Sequence, residues 1–416
     1  MATSSGLSSA TGALHAAGAR HASHLRALNL DRVLSVVMAR TGTFTRAELS
    51  DATGLSAPTV GGLAQYLIGA GLIADLGAGP SRGGRRPSLM EFNARYGFVA
   101  GIDLGPTRTR LAIANLGAET VAHRIVPTPT VLSPEGLLTS MATSLKELAR
   151  DAGVPFDRVI VVAAGVPGPV NPDTGIVPLA PNLPGWRNVP MRSILQHAIG
   201  TTIVVENDVN LALLGERWHG AARGHDTFAF IFVGTGLGAA FLINGRLHHG
   251  HNYMAGEIGV MCMGLEHVNA DFGSRGCLET LAGLDALRAR WPEAEREDPA
   301  HWVVDLVAAA DAGDPTAQRA LQDTAELIGI AAANVGAVVD PSIIVLGGAM
   351  FAQADRLVDL VRSVVQRLSR TSFDVVLSQM GKEAPLAGCL LVAANEARVQ
   401  IRHRVSQSAE TAGAVQ

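Results

Sequence analysis

Two stretches of this 416-residue chain share one design, and that sharing constrains its fold more than any other feature. "YGFVAGIDLGPTRTRLAIANL" begins at Tyr96 and "TFAFIFVGTGLGAAFLINGRL" begins at Thr227. Each is an apolar run, a glycine-bearing turn and a second apolar run, which reads as two antiparallel strands joined at the turn. More buried strands follow in "RVIVVAAGV", "TTIVVEN" and "PSIIVLGG", and the last leads into the helical stretch "ADRLVDLVRSVVQRL". The pattern predicts an α/β body over residues 96–403, built as a duplicated lobe with a cleft between the copies. The lobes fall at about 96–215 and 216–385, with the C-terminal helix returning to the first. Residues 404–416 read as a disordered tail.

Length and composition bound the rest. A chain this long exceeds one ordinary core, so more than one domain is expected. Hydrophobic residues make up 48%, a globular proportion, and no run of about 18 uncharged apolar residues predicts a membrane span. Residues 1–26 lack a basic start followed by an apolar block and read as a disordered leader, not a signal peptide. Three scattered cysteines make no disulfide framework, which fits a cytoplasmic protein. Charge is unevenly placed. Residues 1–96 carry nine Arg against five acidic residues, a net +4, while the remainder carries 24 basic and 32 acidic residues, a net −8. A basic segment ahead of an acidic body points to a polyanion-binding module.

That module lies at 27–95. "LDRVLSVVMARTG" has helical periodicity and stops at Gly42. Thr45 followed by Glu48 is a capping-box pattern for a second helix ending at Gly54. Ser56 and Pro58 open a third, "SAPTVGGLAQYLIGAG". Helix, tight turn, helix is the helix-turn-helix signature, although Gly61 and Gly62 weaken the last helix. Two short strands, "LIADLG" and "SLMEFN", then flank a Gly- and Arg-rich loop that reads as a wing. Candidate DNA contacts are Arg46, Ser56, Ala57, Pro58 and Thr59 from the helices and Arg82, Gly83, Gly84, Arg85 and Arg86 from the wing. The helix would enter a major groove, and the thin Arg-bearing loop a narrow minor groove. A lone basic loop would more often be a solvated surface. Its place directly after a capped helix-turn-helix argues for DNA.

As a set, "GIDLG", "PNLPGW", "VENDVN", "GTGLG", "AGEIG", "GCLE" and "VLGG", in this order, resemble the ROK family of bacterial sugar kinases and sugar-responsive repressors. The resemblance runs from about residue 27 to 403. It implies a two-lobe actin/hexokinase-like domain, and the N-terminal winged helix is a mark of the repressor branch. By the same resemblance, Asp208 is the base that takes the proton of a sugar hydroxyl. Gly168, Asn182, Asn207, Asp208, Glu257 and Glu279 contact sugar. Asp103, Gly105 and Thr107 with Gly234, Thr235, Gly236 and Gly238 hold phosphates, and Gly347 and Gly348 border adenine.

Three departures from the family pattern bear on activity. Pro106 stands where the kinase turn has a second Gly, which removes an N–H from the phosphate cradle and adds a ring. Ala239 replaces another Gly. The family's zinc loop carries one His and three Cys, but here those positions are Val260, Ala270, Phe272 and Cys277, and one thiolate cannot make a tetrahedral site. Cys262 and His267 do not match the ligand spacing, and His248, His249 and His251 read as polar loop residues near the sugar cleft. The expectation is therefore no zinc, no ATP-dependent turnover, and a loop shaped by packing of Val260 and Phe272. The favoured reading is a sugar-responsive regulator that binds operator DNA as a homodimer or homotetramer. Its rivals are a sugar kinase with a fused DNA-binding head and an interaction module whose cleft binds no small molecule.

Overall fold

The computed structural model describes residues 23–79, 88–234, 236–273, 275–292, 299–352 and 354–413. The wing residues Arg82, Gly83, Gly84, Arg85 and Arg86, together with Thr235 and most of the N-terminal leader, lie outside the described residues. The chain divides into two compact units. One is Met1–Val99 with Asn115–Glu119 and Ala394–Gln416, and the other is Ala100–Ala114 with Thr120–Ala393.

In the first unit, residues 23–39 form helix α1. It begins inside the segment read as leader, and Leu30, Val33, Leu34 and Val37 supply its buried stripe. Helix α2 (Arg46–Thr53) starts at a closed capping box. The Glu48 N–H donates to Thr45 Oγ1 at 3.2 Å, and the Thr45 N–H donates to Glu48 Oε2 at 2.8 Å. Helix α3 (Ala57–Gly69) is capped by Ser56 and continues through Gly61 and Gly62. Burial of Val60, Leu63, Ala64 and Leu67 along one face offsets the low helix propensity of the two glycines. Strands β1 (Ile73–Ala78) and β2 (Ser88–Phe92) pair antiparallel. Phe44 joins them through two 2.8 Å backbone bonds with Met90. This is a helix-turn-helix on a small sheet, the base of a wing.

The second unit takes in most of β3 (Phe98–Leu104) and of β4 (Arg108–Asn115), and all of β5 (Thr120–Pro127). Helix α4 (Pro134–Asp151) crosses to β6 (Val159–Val166). A small hairpin of β7 (Val177–Leu179) and β8 (Arg187–Val189), then helix α5 (Met191–Ile199), lead to β9 (Thr202–Asn207) and helix α6 (Asp208–His219). The second half repeats the plan with β10 (Phe228–Val233), β11 (Leu237–Ile243) and β12 (Arg246–Leu247). Helices α7 (Cys277–Ala282), α8 (Leu284–Arg290), α9 (Pro299–Asp311) and α10 (Pro315–Val339) form the crossover to β13 (Ile343–Gly347). Helix α11 (Asp355–Leu368) precedes β14 (Asp374–Leu377). The sheets are ordered β5-β4-β3-β6-β9 and β12-β11-β10-β13-β14. Each places a hairpin on one side of its first strand and later strands on the other, so the duplication read from the two turns is real at the level of topology. Mixed sheets covered by helices make this an α/β body.

The last helix, α12 (Ala384–Gly413), corrects the expected disordered tail, since residues 404–413 are helical. Its first part returns to the first sheet, with Cys389 packed beside Gly101. Its last part belongs to the first unit. Arg402 donates to both carboxylate oxygens of Asp31 at 2.8 and 2.7 Å, and Ser23 Oγ donates to the Glu410 carbonyl at 2.8 Å. A bidentate Arg–carboxylate pair is the strong form of this contact. It orders a polar segment that no local pattern marked as structured. Among the described residues no helix is long and apolar enough to cross a membrane.

Candidate functional site

Strand β9 ends where helix α6 begins, and that junction builds the centre of the site. Asn207 caps α6, its Oδ1 accepting the Asn210 N–H at 3.0 Å. Its Nδ2 donates to the Gly168 carbonyl at 2.9 Å, so two residues expected at the sugar meet directly. Asp208 is the first residue of the helix, with Oδ1 accepting the Val209 N–H at 2.9 Å. Asp208 is half-buried, and protein closely surrounds its carboxyl. Loss of hydration pushes its pKa up to about 8, assisted by the negative charges of Asp103 and Glu257. At neutral pH the Asp208 carboxyl is mainly protonated and can donate as well as accept.

A shallow cleft lies beside this junction. Asn207, Asn210, Gly238, Tyr253 and Glu257 line it, with Val170 and Ala239 among its apolar walls. Glu257 is held above the usual carboxylate range, first by burial and then by the charge of Glu279. Burial raises Glu279 as well, although its Oε2 accepts the Leu237 N–H at 2.9 Å. Gly236 lies between Glu279 and Asn182, since a Cβ there would stand 3.7 Å from Glu279 Oε2 and 3.4 Å from Asn182 Nδ2. Of the residues expected at the sugar, Asn207 and Glu257 line the cleft, while Gly168 bonds to Asn207, Asp208 and Glu279 lie within charge contact of Glu257, and Asn182 stands beside Gly236. Carboxyls and amides in such a cluster match a ring of hydroxyls, each of which can donate one hydrogen bond and accept others.

Around that set the structure adds residues that sequence reasoning missed. Glu206 Oε1 accepts from Asn210 Nδ2 at 2.9 Å and from the Asn207 N–H at 2.8 Å, and its Oε2 pairs with His249 Nε2 at 2.7 Å. That bond raises the His249 pKa against the opposing effect of burial. Tyr253 Oη donates to Asp173 Oδ2 at 2.6 Å. Glu206 and Asn210 flank Asn207 and Asp208 within "VENDVN", so proximity in the motif was an available signal. For the pairing of Tyr253 with Asp173 no local signal exists.

The phosphate side is arranged differently. Asp103 is buried, and its Oδ2 accepts from an Arg110 guanidinium N–H at 3.1 Å. Glu383 stands on the other side of Arg110 at 4.0 Å. Burial lifts Asp103 to about 6 against the pull of Arg110. The Gly105 N–H donates to the Arg108 carbonyl at 3.2 Å, the Thr107 carbonyl accepts the Thr128 N–H at 2.9 Å, and Pro106 has no N–H to offer. In the second turn the Gly234 N–H is likewise spent on the Gly236 carbonyl, at 2.9 Å. Gly347 and Gly348 have a packing reason for being glycine. A Cβ at Gly347 would meet the Phe230 ring at 2.4 Å, and one at Gly348, where φ is +98°, would meet the Val233 carbonyl at 2.3 Å.

The segment after Glu257 does not suit zinc. Val260, Ala270 and Phe272 carry no donor, and among the described residues no cluster of His, Cys, Asp and Glu could hold a metal ion. Val260 is 64% exposed, which corrects the expectation that it packs to hold the loop. The shape comes instead from the edge-on contact of the His267 and Phe272 rings, 5.8 Å between centroids, and from close backbone approach at Gly276. There φ is +82°, and a Cβ would stand 2.6 Å from Val260 Cα. Cys277 is buried, whereas Cys262 is exposed.

In the other unit, Ala57 and Pro58 are exposed at the start of α3, beside the exposed Ser56. Thr59 Oγ1 lies 2.8 Å from Ser56 Oγ, and Arg46 is half-buried in the first turn of α2.

Comparison with known proteins agrees with this architecture. The family model of the ROK family matches residues 99–396. A xylose repressor of Caldicellulosiruptor bescii is 28% identical over 387 residues, 88% of this chain and 95% of that one. A glucokinase of Halalkalibacterium halodurans is 31% identical over 278 residues, 64% of this chain and 84% of that one. The crystal structure of a ROK family transcriptional regulator, a homolog of the E. coli MLC protein, superposes with a TM-score of 0.75 at 23% identity. The match covers 91% of this chain and 99% of the regulator, and it speaks for the fold. On this evidence the chain belongs to the ROK family.

Proposed function

We propose that this ROK protein is a sugar-responsive transcriptional repressor. One observation carries the reading: a capped helix-turn-helix with a wing base shares the chain with a cleft whose sugar-directed groups are assembled while its phosphate turn is closed on itself. The relatives that match along nearly their whole length include proteins named xylose repressor, which makes xylose the first effector to test. Helix α3 would read a major groove, and Arg82, Arg85 and Arg86 would follow the adjacent minor groove. A homo-oligomer with two-fold symmetry would present two such heads to a two-part operator. Sugar in the cleft would favour the conformer that releases DNA, and a difference of a few kcal/mol between conformers suffices.

A kinase is the second reading. Asp208 favours it, because it stands at the position of the family's base and a pKa near the working pH suits a group that takes a hydroxyl proton once its own has left. Against it stand Pro106 and the Asp103–Arg110 pair.

The experiment is a titration of DNA fragments selected by the purified protein, with and without sugars, beside an assay of ATP-dependent sugar phosphorylation. Sugar-dependent release without turnover is expected. Turnover would establish the kinase, and DNA binding that no sugar alters would leave the interaction module. In the same assay, Arg85→Ala with Arg86→Ala should weaken DNA binding and lower its log–log salt slope by roughly one for each lost phosphate contact. An unchanged slope and affinity would remove these residues from the interface.

A further inference from the structure

Tyr253 is held in a conformation that a tyrosine rarely adopts, and it is held there at the wall of the cleft. Its φ is +59°, in the left-handed region that disfavours bulky side chains. Among the described residues four other non-glycine positions have positive φ, and none of those is aromatic. Such a backbone persists only where its surroundings over-determine it, and an outlier of this kind at a site is a lead to function.

The surroundings are specific. Tyr253 Oη donates to Asp173 Oδ2 at 2.6 Å. Asp173 sits in a turn stiffened by Asn171, whose Oδ1 accepts the Asp173 and Thr174 N–H groups at 3.0 and 3.1 Å, and by Arg192, which donates to the Asp173 carbonyl at 2.6 Å. The Tyr253 ring also meets His249 edge-on, 6.4 Å between centroids at 70°. His249 is itself fixed by Glu206. The backbone around Tyr253 is closed by the Ala255 N–H donating to the His249 carbonyl at 3.1 Å. Ring, backbone and hydroxyl are all anchored, and the residue lines the same cleft as Asn207 and Glu257.

We propose that Tyr253 is the specificity-determining wall of the sugar site: its anchored ring admits an unsubstituted pentose or hexose and turns away sugars that carry a bulky substituent such as an N-acetyl group. The proposal rests on the sugar-sensor reading and goes beyond it. A flat aromatic face suits the C–H face of a sugar ring, while the amide and carboxyls opposite take its hydroxyls. A ring held by its backbone, by His249 and by Asp173 resists displacement, so a substituent directed at it meets an obstacle.

The test is calorimetric titration of the full chain with xylose, glucose and N-acetylglucosamine, for wild type, Tyr253→Gly and Tyr253→Phe. Glycine removes the wall and relieves the backbone, so the variant should fold at least as well as wild type. Phenylalanine keeps the wall and loses only the bond to Asp173. Wild type should bind an unsubstituted sugar in preference to N-acetylglucosamine. Tyr253→Gly should shift that preference by about tenfold or more toward the N-acetyl sugar, the scale on which pocket shape discriminates. Tyr253→Phe should keep the wild-type preference. An unchanged preference in Tyr253→Gly, or a wild type that prefers the N-acetyl sugar, overturns the role of Tyr253 while leaving the sensor reading in place. Absence of binding by wild type to any of the sugars overturns both.

Discussion

The two halves of the body share one strand order, yet the charged groups around their first turns are paired differently. Around the first turn, Asp103 and Arg110 form a largely buried pair, Pro106 withholds an N–H, and Gly105 donates within the hairpin. At the second turn, the Leu237 N–H donates to Glu279 Oε2 and orients that carboxyl next to Gly236 and Asn182. A common scaffold therefore does not impose a common chemistry. On the phosphate side the charges satisfy one another, whereas on the sugar side Glu257 and Glu279 repel and Asp208 holds a proton. The latter groups are held in a state that a ligand rich in hydroxyls would relieve.

The sharpest way to break this contrast is Arg110→Ala. If the pair is structural, its loss leaves Asp103 buried without a cation and costs about 3–5 kcal/mol of stability. The loss should be greater at pH 8 than at pH 5, where Asp103 can take up a proton. The sugar dose response of DNA release should stay within about threefold of wild type, since less than 1 kcal/mol of binding is at stake. Thermal melts at the two pH values and a release titration check both halves. A large loss of sugar response would mean that the phosphate side takes part in sensing.

Glu257→Ala tests the other side. Removing a charged hydrogen-bond partner should raise the sugar concentration for half-release by about tenfold to a hundredfold. Melting temperature without sugar should hold or rise, because a like-charge contact with Glu279 disappears. An unchanged dose response would place the ligand elsewhere.

Asp208→Asn should do less to binding, because an amide stands in well for a carboxyl that is already protonated. The expected shift in dose response is a few-fold, less than about 1 kcal/mol. Its signature is in pH. The folded carboxyl titrates near 8, against an ordinary value of 3.8. Between those values the folded chain binds a proton that the unfolded chain does not, so this group's contribution makes stability fall as pH rises through the window. In Asp208→Asn that contribution is absent, and the variant should gain on wild type as pH rises from 5 to 8. Parallel stability profiles would show that the carboxyl is ionised.

The smallest expected effect is from zinc removal. Protein purified without a histidine tag should carry well below one zinc per chain, and a chelator should leave its melting temperature unchanged. Tightly held stoichiometric zinc would put Cys262 and His267 to work and reverse the account of the loop.

The sequence by itself determined what is local or periodic. The capping box at Thr45 and Glu48 acts within one turn of helix, and the two glycine-bearing hairpins close over a few residues. Pro106 removes its N–H wherever the chain goes, and Val260, Ala270 and Phe272 lack donors in any fold. Those features were legible because their physics needs no distant partner. The tertiary structure decided the rest. Arg110 reaches back seven residues to Asp103, His249 reaches 43 to Glu206, Tyr253 reaches 80 to Asp173, and Arg402 reaches 371 to Asp31. Periodicity names none of these partners, because each depends on which strand ends and loops the folded sheets bring together. The pKa of Asp208 belongs to the same class: burial and the nearby charges of Asp103 and Glu257 raise it, and both exist only once the chain has folded.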